Sequence, residues 1–383
     1  MRIAIVGLGV VGASVARALA LDGAEVTVFE RRRPGGGTSG TSYGWINSHR
    51  KEPRSYHELN REGMAEHEAL WGAGGDFYVR SGALEWAIDD AGRERLAAND
   101  AQLRDYGYPL EVITRERAAE IAGDVLIPPG VTEVSWYPGE CYARPVALLA
   151  RLWDEARDHG AILRCPVGVT GVEPLANGAR VHTGVPEPER FDRVVLAAGR
   201  WTGELTRMVE PAIPMVAPEA PVSPGFLAYT TPIAARVSCP VVAPQLNFRP
   251  DGGGRLLMQA LDLNAQATAG ERSRPGPTFT AEILDRLRSL LRGGEHARIE
   301  RVDLGLRSLP ADGHTVAGLD DSGSVYILAT HSGITLGPLL GKFAAREILH
   351  DEPVARLRDF RPQRFTGATA FPQLTPARQP GEQ

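Results

Sequence analysis

Three glycines near the start of the chain have the spacing that binds the phosphates of a dinucleotide. Gly7, Gly9 and Gly12 follow a short apolar run, residues 2–6, and open a segment, residues 12–20, with small and apolar residues at helical spacing. Such glycines permit a tight turn, let the backbone approach a pyrophosphate, and let the helix pack closely on the strand. The phosphates would lie at the helix N-terminus, where unpaired N–H groups and the helix dipole favour an anion.

A carboxylate ends the second predicted strand, residues 25–30, about twenty residues after the glycines, where a ribose diol is commonly bound. Arg31, Arg32 and Arg33 follow Glu30, and an arginine there could accept the 2′-phosphate of NADP. Because Glu30 would repel that phosphate, the pattern favours a free ribose diol, as in FAD or NAD, with Arg31 against the adenine. A glycine-rich turn without a ligand is the alternative.

Further turns could contact the same cofactor. The loop of residues 34–47 is rich in glycine and hydroxyl side chains, and it predicts hydrogen-bond donors to the cofactor, although a flexible loop has the same composition. Residues 194–198 form an apolar run typical of a buried parallel strand, and a small-residue turn at Ala198 and Gly199 follows it. A second glycine-bearing turn, residues 331–338, follows the predicted strand 325–329.

The composition of the chain limits the classes of protein to which it can belong. The chain of 383 residues is 43% hydrophobic and 23% charged, which is typical of a globular protein of about two domains. A net charge of −5 gives no electrostatic reason to expect nucleic acid or an anionic membrane as a partner. Cys141, Cys165 and Cys239 lack metal-ligand spacing, so no metal site is expected. With no apolar run of membrane-spanning length and no apparent signal peptide, we expect a cytoplasmic protein.

The remaining pattern predicts alternating helices and strands. A hairpin is predicted over residues 77–87, strands over 161–164 and 168–172, and antiparallel structure from 224 to 302. Helices are predicted over residues 56–71, 91–106, 145–159, 280–291 and 339–349.

Taken together, four stretches resemble the D-amino-acid oxidase superfamily of FAD-dependent amine oxidoreductases, the group that includes glycine oxidase and sarcosine oxidase. The stretches are residues 7–30, 38–47, 194–202 and 305–341. The last contains an arginine, an Asp-Gly turn, a strand and a glycine turn before the closing helix. The resemblance extends over nearly the whole chain, and its motifs are specific for the superfamily but not for a substrate.

The resemblance implies an α/β fold with an α+β second domain. A doubly wound, Rossmann-like FAD-binding domain would be interleaved with an antiparallel-sheet substrate domain. The FAD-binding domain would comprise residues 1–75, 140–222 and 303–361, the substrate-binding domain residues 76–139 and 223–302, and a loosely held C-terminal tail residues 362–383. The residues implied to bind FAD are Gly7, Gly9, Val10, Val11, Gly12, Glu30, Arg31, Thr38, Ser39, Thr41, Ser42, Val169, Ala198, Gly199, Trp201, Arg307, Gly333, Ile334, Thr335 and Leu336.

The implied chemistry is hydride transfer from a carbon that bears an amine to flavin N5, which yields an imine. The expected partners are a small amine or amino-acid substrate and O2 or another electron acceptor; a homodimer is left open. No cysteine follows Arg307, so FAD is expected to be held without the covalent link of sarcosine oxidase. No lysine lies near the position from which sarcosine oxidase promotes oxygen reactivity, so rapid turnover with O2 is not expected.

Four side chains are candidates for the substrate site. Arg307 stands where glycine oxidase places the arginine that grips a substrate carboxylate; the alternative is an ion pair with Asp303. His331 could line the cavity and tune proton uptake, because histidine titrates near neutral pH, or could form a hydrogen bond in the core. Arg50 falls near a substrate-binding arginine of sarcosine oxidase, but the alignment there is loose and a solvated Arg50 is favoured; Tyr229 is a weaker candidate for the cavity wall.

Three alternatives to amine oxidation remain open. A 2-hydroxy acid could be oxidised at the same arginine, with His331 as the base that takes the hydroxyl proton. An NAD-dependent Rossmann dehydrogenase would use the first fingerprint but requires neither the turn at Gly333 nor the loop 38–47. A non-catalytic flavoprotein subunit of a larger complex would bind FAD, but no small substrate would reduce that FAD when the subunit is purified alone.

Overall fold

The computed structural model describes residues 1–72, 74–267 and 275–377. The strands are β1 (Arg2–Val6), β2 (Glu25–Phe29), β3 (Trp45–Ile46), β4 (Tyr78–Arg80), β5 (Ala83–Glu85), β6 (Glu111–Thr114), β7 (Glu133–Tyr137), β8 (Cys141–Ala143), β9 (Ile162–Arg164), β10 (Gly171–Leu175), β11 (Gly178–His182), β12 (Glu189–Phe191), β13 (Arg193–Leu196), β14 (Pro224–Thr230), β15 (Val241–Ala243), β16 (Leu246–Gly252), β17 (Arg255–Gln259), β18 (Ile299–Leu306), β19 (Val316–Leu319) and β20 (Val325–Ala329). The helices are α1 (Val10–Leu21), α2 (Arg54–Trp71), α3 (Asp90–Asp105), α4 (Arg115–Ala122), α5 (Pro145–Asp158), α6 (Thr202–Leu205), α7 (Pro277–Leu290) and α8 (Gly333–Leu349).

A six-stranded sheet in the order β19-β20-β13-β1-β2-β9 carries the N-terminal fingerprint. Its neighbouring strands are parallel except for β19, which pairs antiparallel with β20. Helices α1, α5 and α8 pack on one face, and the small antiparallel sheet β10-β11-β12 lies against the other. Strands β13 and β20 are buried on both faces, which explains their unbroken apolar sequence. The α/β fold class predicted from the sequence is confirmed.

The second large sheet has eight strands in the order β18-β14-β17-β16-β15-β5-β7-β6. Its pairs are antiparallel except for β15 with β5. Helix α7 buries Phe279, Ile283 and Leu287, at i, i+4 and i+8, in the core beneath this sheet. Two separate segments of the chain supply its strands: the first contributes β5 to β7, and the second contributes β14 to β18. Arg307 directly follows β18. The domain boundaries given above remain a prediction.

The hairpin predicted over residues 77–87 is wrong. Strand β4 pairs with β8, which also pairs with β3, whereas β5 pairs with β7 and β15 in the eight-stranded sheet. Between them Gly82 adopts a left-handed φ of 65° and donates its N–H to the Glu140 carbonyl, 2.8 Å away. The chain therefore turns from one sheet to another, which a local pattern of apolar residues does not reveal.

Helix α8 begins at Gly333, six residues before the predicted start, and contains Pro338. Proline has no N–H, so the carbonyl four residues earlier loses its usual helical partner. That carbonyl belongs to Ile334, and His67 of α2 donates Nε2–H to it at 2.9 Å. Burial lowers the pKa of His67 to about 4, so the ring is neutral. A side chain distant in sequence thus replaces the hydrogen bond that proline removes.

The predicted loose tail is wrong for its first part. Phe365 is 5% exposed, and its ring lies 5.7 Å from that of Phe371. Both residues pack on the core behind the six-stranded sheet. Residues 378–383 of the predicted tail lie outside the described residues. Within the described part of the chain, no helix has the length and apolar character needed to cross a membrane.

Candidate cofactor and substrate cavities

The glycine fingerprint forms a turn between β1 and α1 that only glycine can adopt. Gly7 has a φ of 102°, and a Cβ placed on it would lie 2.6 Å from the Ala197 carbonyl oxygen. A Cβ on Gly12 would lie 2.0 Å from the Gly7 carbonyl oxygen. Gly9 is the N-cap of α1, so the helix N-terminus points along the turn. Ser39 closes the turn from the predicted loop, because its Oγ accepts a hydrogen bond from Val10 N–H at 3.0 Å.

Glu30 follows β2 and is fixed at the edge of this turn. Its Oε2 accepts a hydrogen bond from Leu8 N–H at 3.0 Å, and its Oε1 accepts one from Arg32 N–H at 3.0 Å. The Arg31 guanidinium carbon lies 3.8 Å from the centre of a Trp201 ring, within the range of a cation–π contact. Residues predicted from separate motifs are therefore neighbours in space.

The first cavity lies along the fingerprint turn. The predicted cofactor residues that line it are Gly7, Gly9, Val11, Glu30, Arg31, Thr38, Ser39, Ser42, Val169, Ala198, Gly199, Trp201, Gly333 and Ile334. Thr41, Thr335 and Arg307 line a second cavity instead. Val10, Gly12 and Leu336 line neither of these two cavities: Val10 and Leu336 are buried in the core, and Gly12 packs on the turn.

The first cavity also contains polar side chains that the sequence did not predict. Arg200 and Ser308 line it, and within the described residues Arg200 Nε and Ser308 Oγ are buried without a hydrogen-bond partner. Buried polar atoms are rarely left unpaired, so these two atoms suit a polar ligand in the cavity. The sequence could have indicated both residues, because Arg200 directly precedes the predicted cofactor residue Trp201 and Ser308 directly follows Arg307.

The second cavity continues from the first. Thr38, Ser42, His331 and Ile334 line both. Leu227 and Gln259 add an apolar and a polar wall from the eight-stranded sheet. The second cavity therefore lies between the two large sheets, where a ligand in the first cavity would meet a second ligand.

Arg307 follows β18 and lies in the wall of the second cavity; the substrate-binding role that the resemblance implies stays a prediction. Its Nη1 donates to the Val222 carbonyl at 2.7 Å. Burial lowers the pKa of Arg307, but a guanidinium stays protonated in proteins. The alternative ion pair with Asp303 is wrong, because Asp303 Oδ2 pairs with Arg301 Nε at 3.1 Å.

His331 lines both cavities, and its environment opposes a positive charge. Burial lowers its pKa well below the ordinary value, and the charges of Arg307 and Lys51 lower it further. The imidazole is therefore neutral at neutral pH. The role in proton uptake expected for His331 stays a prediction, and the two cations in its cavity act against a positive charge on the ring.

Lys51, which the sequence did not single out, lines the second cavity. Its side chain lies in the loop before α2, and the residue is 6% exposed. Burial lowers its pKa to about 7, although the charge of Glu140 acts in the opposite direction. A signal was present, because Lys51 and Lys342 are the only lysines of the chain.

Neither Arg50 nor Tyr229 lines the second cavity. Arg50 Nη2 pairs with Glu85 Oε1 at 2.5 Å, and its side chain is 9% exposed, so it is not solvated either. Tyr229 is 5% exposed and lies beneath the Arg301 guanidinium, 3.6 Å from the ring centre. Leu227, on the same face of β14, lines the cavity in its place.

A buried cluster of charges supports the loop that carries Lys51. His49 Nε2 lies 3.1 Å from Glu85 Oε2, and His49 Nδ1 lies 3.5 Å from Glu140 Oε1. Burial and Arg50 lower the pKa of His49, but the two carboxylates outweigh them and the net shift is upward. Burial raises the pKa of Glu85, but Arg50 and His49 bring it down to about 2. The cluster therefore consists of mutually compensating charges.

Comparisons with known proteins agree with this architecture. Over 224 residues the chain is 26% identical to the anaerobic glycerol-3-phosphate dehydrogenase subunit A1 of Haloferax volcanii, covering 52% of this chain but only 36% of that protein. It is 24% identical to glycine oxidase of Bacillus licheniformis over 90% of this chain and 92% of that protein. The crystal structure of glycine oxidase from Geobacillus kaustophilus has the same fold, with a TM-score of 0.81, 23% identity and coverage of 94% and 98% of the two chains.

The family model described as FAD dependent oxidoreductase matches residues 2–347. That range contains the fingerprint turn, both cavities apart from Ala377, and nearly all of α8. The chain therefore belongs to the DAO family of FAD-dependent oxidoreductases.

Proposed function

We propose that this FAD-dependent oxidoreductase oxidises the C–N bond of an amino acid or small secondary amine. The observation that carries the proposal is the position of Arg307 in a cavity that continues from the fingerprint cavity. A guanidinium offers two parallel N–H donors that match a carboxylate. Because the chain belongs to an FAD-dependent family, an NAD-dependent Rossmann dehydrogenase is no longer an alternative.

The first cavity fits FAD in its chemistry. The turn at Gly9 and the N-terminus of α1 would hold the pyrophosphate, and Glu30 would accept hydrogen bonds from the ribose hydroxyls. The unpartnered atoms Arg200 Nε and Ser308 Oγ would find polar partners on the cofactor. When bound, FAD supplies a hydride acceptor at its N5.

The residues of the second cavity would orient the substrate and keep its amine neutral. Arg307 would bind the carboxylate and thereby fix the direction of the neighbouring C–H bond. Lys51 and Arg307 place positive charge in a cavity that no carboxylate side chain lines within the described residues. Positive charge lowers the pKa of an ammonium group, so these cations favour the neutral amine that a C–N oxidation requires.

The likeness to the two glycine oxidases supports an amino-acid substrate. A second candidate is oxidation of a hydroxyl-bearing carbon in a 2-hydroxy acid. His331 lines the cavity and is the residue that would take the hydroxyl proton, although burial and the charges of Arg307 and Lys51 lower its pKa and so weaken it as a base. The Haloferax volcanii relative is named as a subunit of a glycerol-3-phosphate dehydrogenase, and glycerol 3-phosphate is an alcohol.

Anaerobic flavin spectra would separate these candidates. The protein loaded with FAD is mixed with matched pairs of substrates: glycine and glycolate, alanine and lactate, aspartate and malate, together with sarcosine and proline. Loss of the flavin absorption with an amine, but not with its hydroxy analogue, is the expected result. Reduction by the hydroxy acids alone would refute C–N oxidation. Reduction by no compound of the panel would refute both activities for these substrate classes.

A further inference from the structure

The last described segment of the chain has a pattern with a period of three residues. Phe371, Leu374 and Ala377 are half-buried, whereas the residues between them are exposed. The segment that contains them forms neither helix nor strand and includes two prolines, Pro372 and Pro376. A period of three is typical of the polyproline II conformation, in which every third side chain lies on the same face. One face of this segment therefore packs on the protein, and the rest is in solvent.

Each of the three half-buried residues contacts a different part of the molecule. The centre of the Phe371 ring lies 5.7 Å from that of Phe365, in the core behind the six-stranded sheet. Leu374 packs on the turn at Gly313, because a Cβ on that glycine would lie 3.3 Å from Leu374 Cδ2. Ala377 lines the second cavity. The segment therefore extends from the back of the six-stranded sheet to the second cavity.

The turn beneath Leu374 is itself held in place by side chains. Arg364 donates Nε–H to Asp312 Oδ2 at 2.7 Å, and its Nη2 donates to the His314 carbonyl at 3.1 Å. Gly313, between these two residues, has a left-handed φ of 83°. Because proline restricts the conformations of a detached chain, a proline-containing segment loses less conformational entropy when it is ordered. Two apolar contacts therefore hold the segment on a fixed support.

Ala377 gives the second cavity a wall from outside the family match. Every other described residue that lines this cavity falls between residues 38 and 335, within the residues 2–347 that the family model matches. The methyl group of Ala377 carries no charge and forms no hydrogen bond, so it acts on a ligand through the space that it occupies. Protein interiors are close-packed, and a change of a few atoms in such a wall alters what fits beside it.

We propose that residues 371–377, hereafter the strap, close one side of the second cavity and limit the size of the ligand that this cavity accepts. Ala377 is the residue of the strap that meets the ligand. That the ligand is an amino acid or amine rests on the function proposed above, whereas the limit on its size can be measured by binding without any reaction.

The first test is the binding of non-oxidisable acids of increasing size to the FAD-loaded protein, measured by calorimetry and by the flavin spectrum. The acids are acetate, benzoate and 2-naphthoate. Ala377→Phe fills space in the cavity, so it should weaken benzoate relative to acetate by about 10- to 100-fold, the range expected for overpacking. Thr375→Phe is the matched control, because it adds the same ring on an exposed face of the strap. An unchanged ratio in Ala377→Phe, or an equal change in both variants, would overturn the proposal.

Two shortened chains test the strap as a whole. A chain that ends after Phe371 lacks most of the strap, and one that ends after Ala377 retains it, so the two differ only in residues 372–377. Because the cavity loses a wall in the shorter chain, its affinity for 2-naphthoate relative to acetate should rise by about 10-fold over that of the longer chain. Equal ratios in the two chains would contradict the proposal. FAD content and melting temperature confirm that each chain is folded.

Thiol labelling tests the position of Ala377 in the full chain and without a ligand. Ala377→Cys and Thr375→Cys are treated with N-ethylmaleimide, and mass spectrometry gives the rate at each introduced thiol. The thiol at position 377 should react severalfold more slowly, because Ala377 is half-buried in the cavity wall and Thr375 is exposed. Added benzoate should protect position 377 alone. Equal rates at the two positions would show that the strap does not pack on the cavity. This test remains if the shorter chain does not fold.

The outcomes also separate this proposal from the function on which it rests. Selection by size that depends on Ala377, without reduction of the flavin by any amine or amino acid, would refute C–N oxidation and leave the strap as a wall. Flavin reduction by amino acids with small and large side chains alike, at rates that Ala377→Phe and the shorter chain leave unchanged, would refute the role of the strap and leave amine oxidation.

Discussion

Replacement of Arg307 by methionine is the sharpest test of the proposed substrate site. The variant keeps an unbranched apolar side chain that reaches about as far as arginine Nε, but it removes the guanidinium. In the structure Nη1 already donates to the Val222 carbonyl, and the group lies in the wall of the second cavity. Two charge-assisted hydrogen bonds to a carboxylate, at roughly 1.5–3 kcal/mol each, correspond to about 3–6 kcal/mol. The expected loss of kcat/KM is therefore about 10²- to 10⁴-fold.

The assay is steady-state kinetics with the carboxylate substrate identified by flavin reduction, together with the FAD content of each variant. Arg301→Met is the matched control, because Arg301 lies on β18 only six residues away but contacts Asp303 and Tyr229 outside the cavity. Arg307→Met should retain FAD, since its side chain lines the second cavity and not the first. Arg307→Lys should recover activity only in part, because an ammonium group lacks the planar fork.

Kinetics of Arg307→Met within threefold of the unsubstituted protein would refute the role of Arg307. The same result in Arg307→Met and in Arg301→Met would show that the loss arises from the net charge of the protein and not from a carboxylate contact. A loss of FAD in Arg307→Met would instead place Arg307 among the cofactor residues, as the resemblance also implied.

Three further perturbations test the fingerprint and the buried cluster. Glu30→Ala should lower the ratio of flavin to protein after dialysis; full occupancy would show that the ribose is held elsewhere. Gly12→Ala places a Cβ 2.0 Å from the Gly7 carbonyl oxygen, so it should lower both FAD content and melting temperature, and unchanged values would contradict the claim that only glycine fits this turn. Arg50→Met removes one of the two cationic partners of Glu85 and leaves only His49, so it should lower the free energy of unfolding, by less than the ~3–5 kcal/mol expected when a buried charge loses its only partner. Because the pKa of Glu85 falls from 4.5 to about 2, its stabilising contribution is present above pH 4.5 and lost as the pH falls towards 2, so chemical denaturation should show the variant and the parent converging there.

The fingerprint could be predicted because its information is local. The turn at Gly7, Gly9 and Gly12 is determined by backbone geometry and close contacts within a few residues and one neighbouring strand. Glu30 lies beside it because β1 and β2 are parallel neighbours in register. For the same reason, several buried strands and amphipathic helices were predicted with small errors at their ends, whereas α8 begins six residues before its predicted start.

The second cavity could be predicted only where the resemblance supplied a residue. Arg307 lines the cavity and its role there stays a prediction, whereas Arg50 and Lys51 are adjacent in sequence and their side chains lie in different environments. Arg50 has a positive φ of 51°, so the backbone reverses there, and the regular alternation of side chains does not apply. The sequence contains no signal for that reversal, which explains why the neighbouring cation was missed.

The relative position of Lys51 and His331 follows from the contact of two helices rather than from their own loops. Lys51 lies just before α2, and His331 lies just before α8. The two helices approach so closely that a Cβ on Gly63 would lie 2.7 Å from the Thr335 carbonyl oxygen, and His67 donates to the Ile334 carbonyl at 2.9 Å. These contacts fix the N-terminal end of α8 on α2. The charge that Lys51 exerts on His331 is therefore a property of helix packing, and a side chain at Gly63 would press on Thr335, which lines the second cavity, and so disturb that cavity.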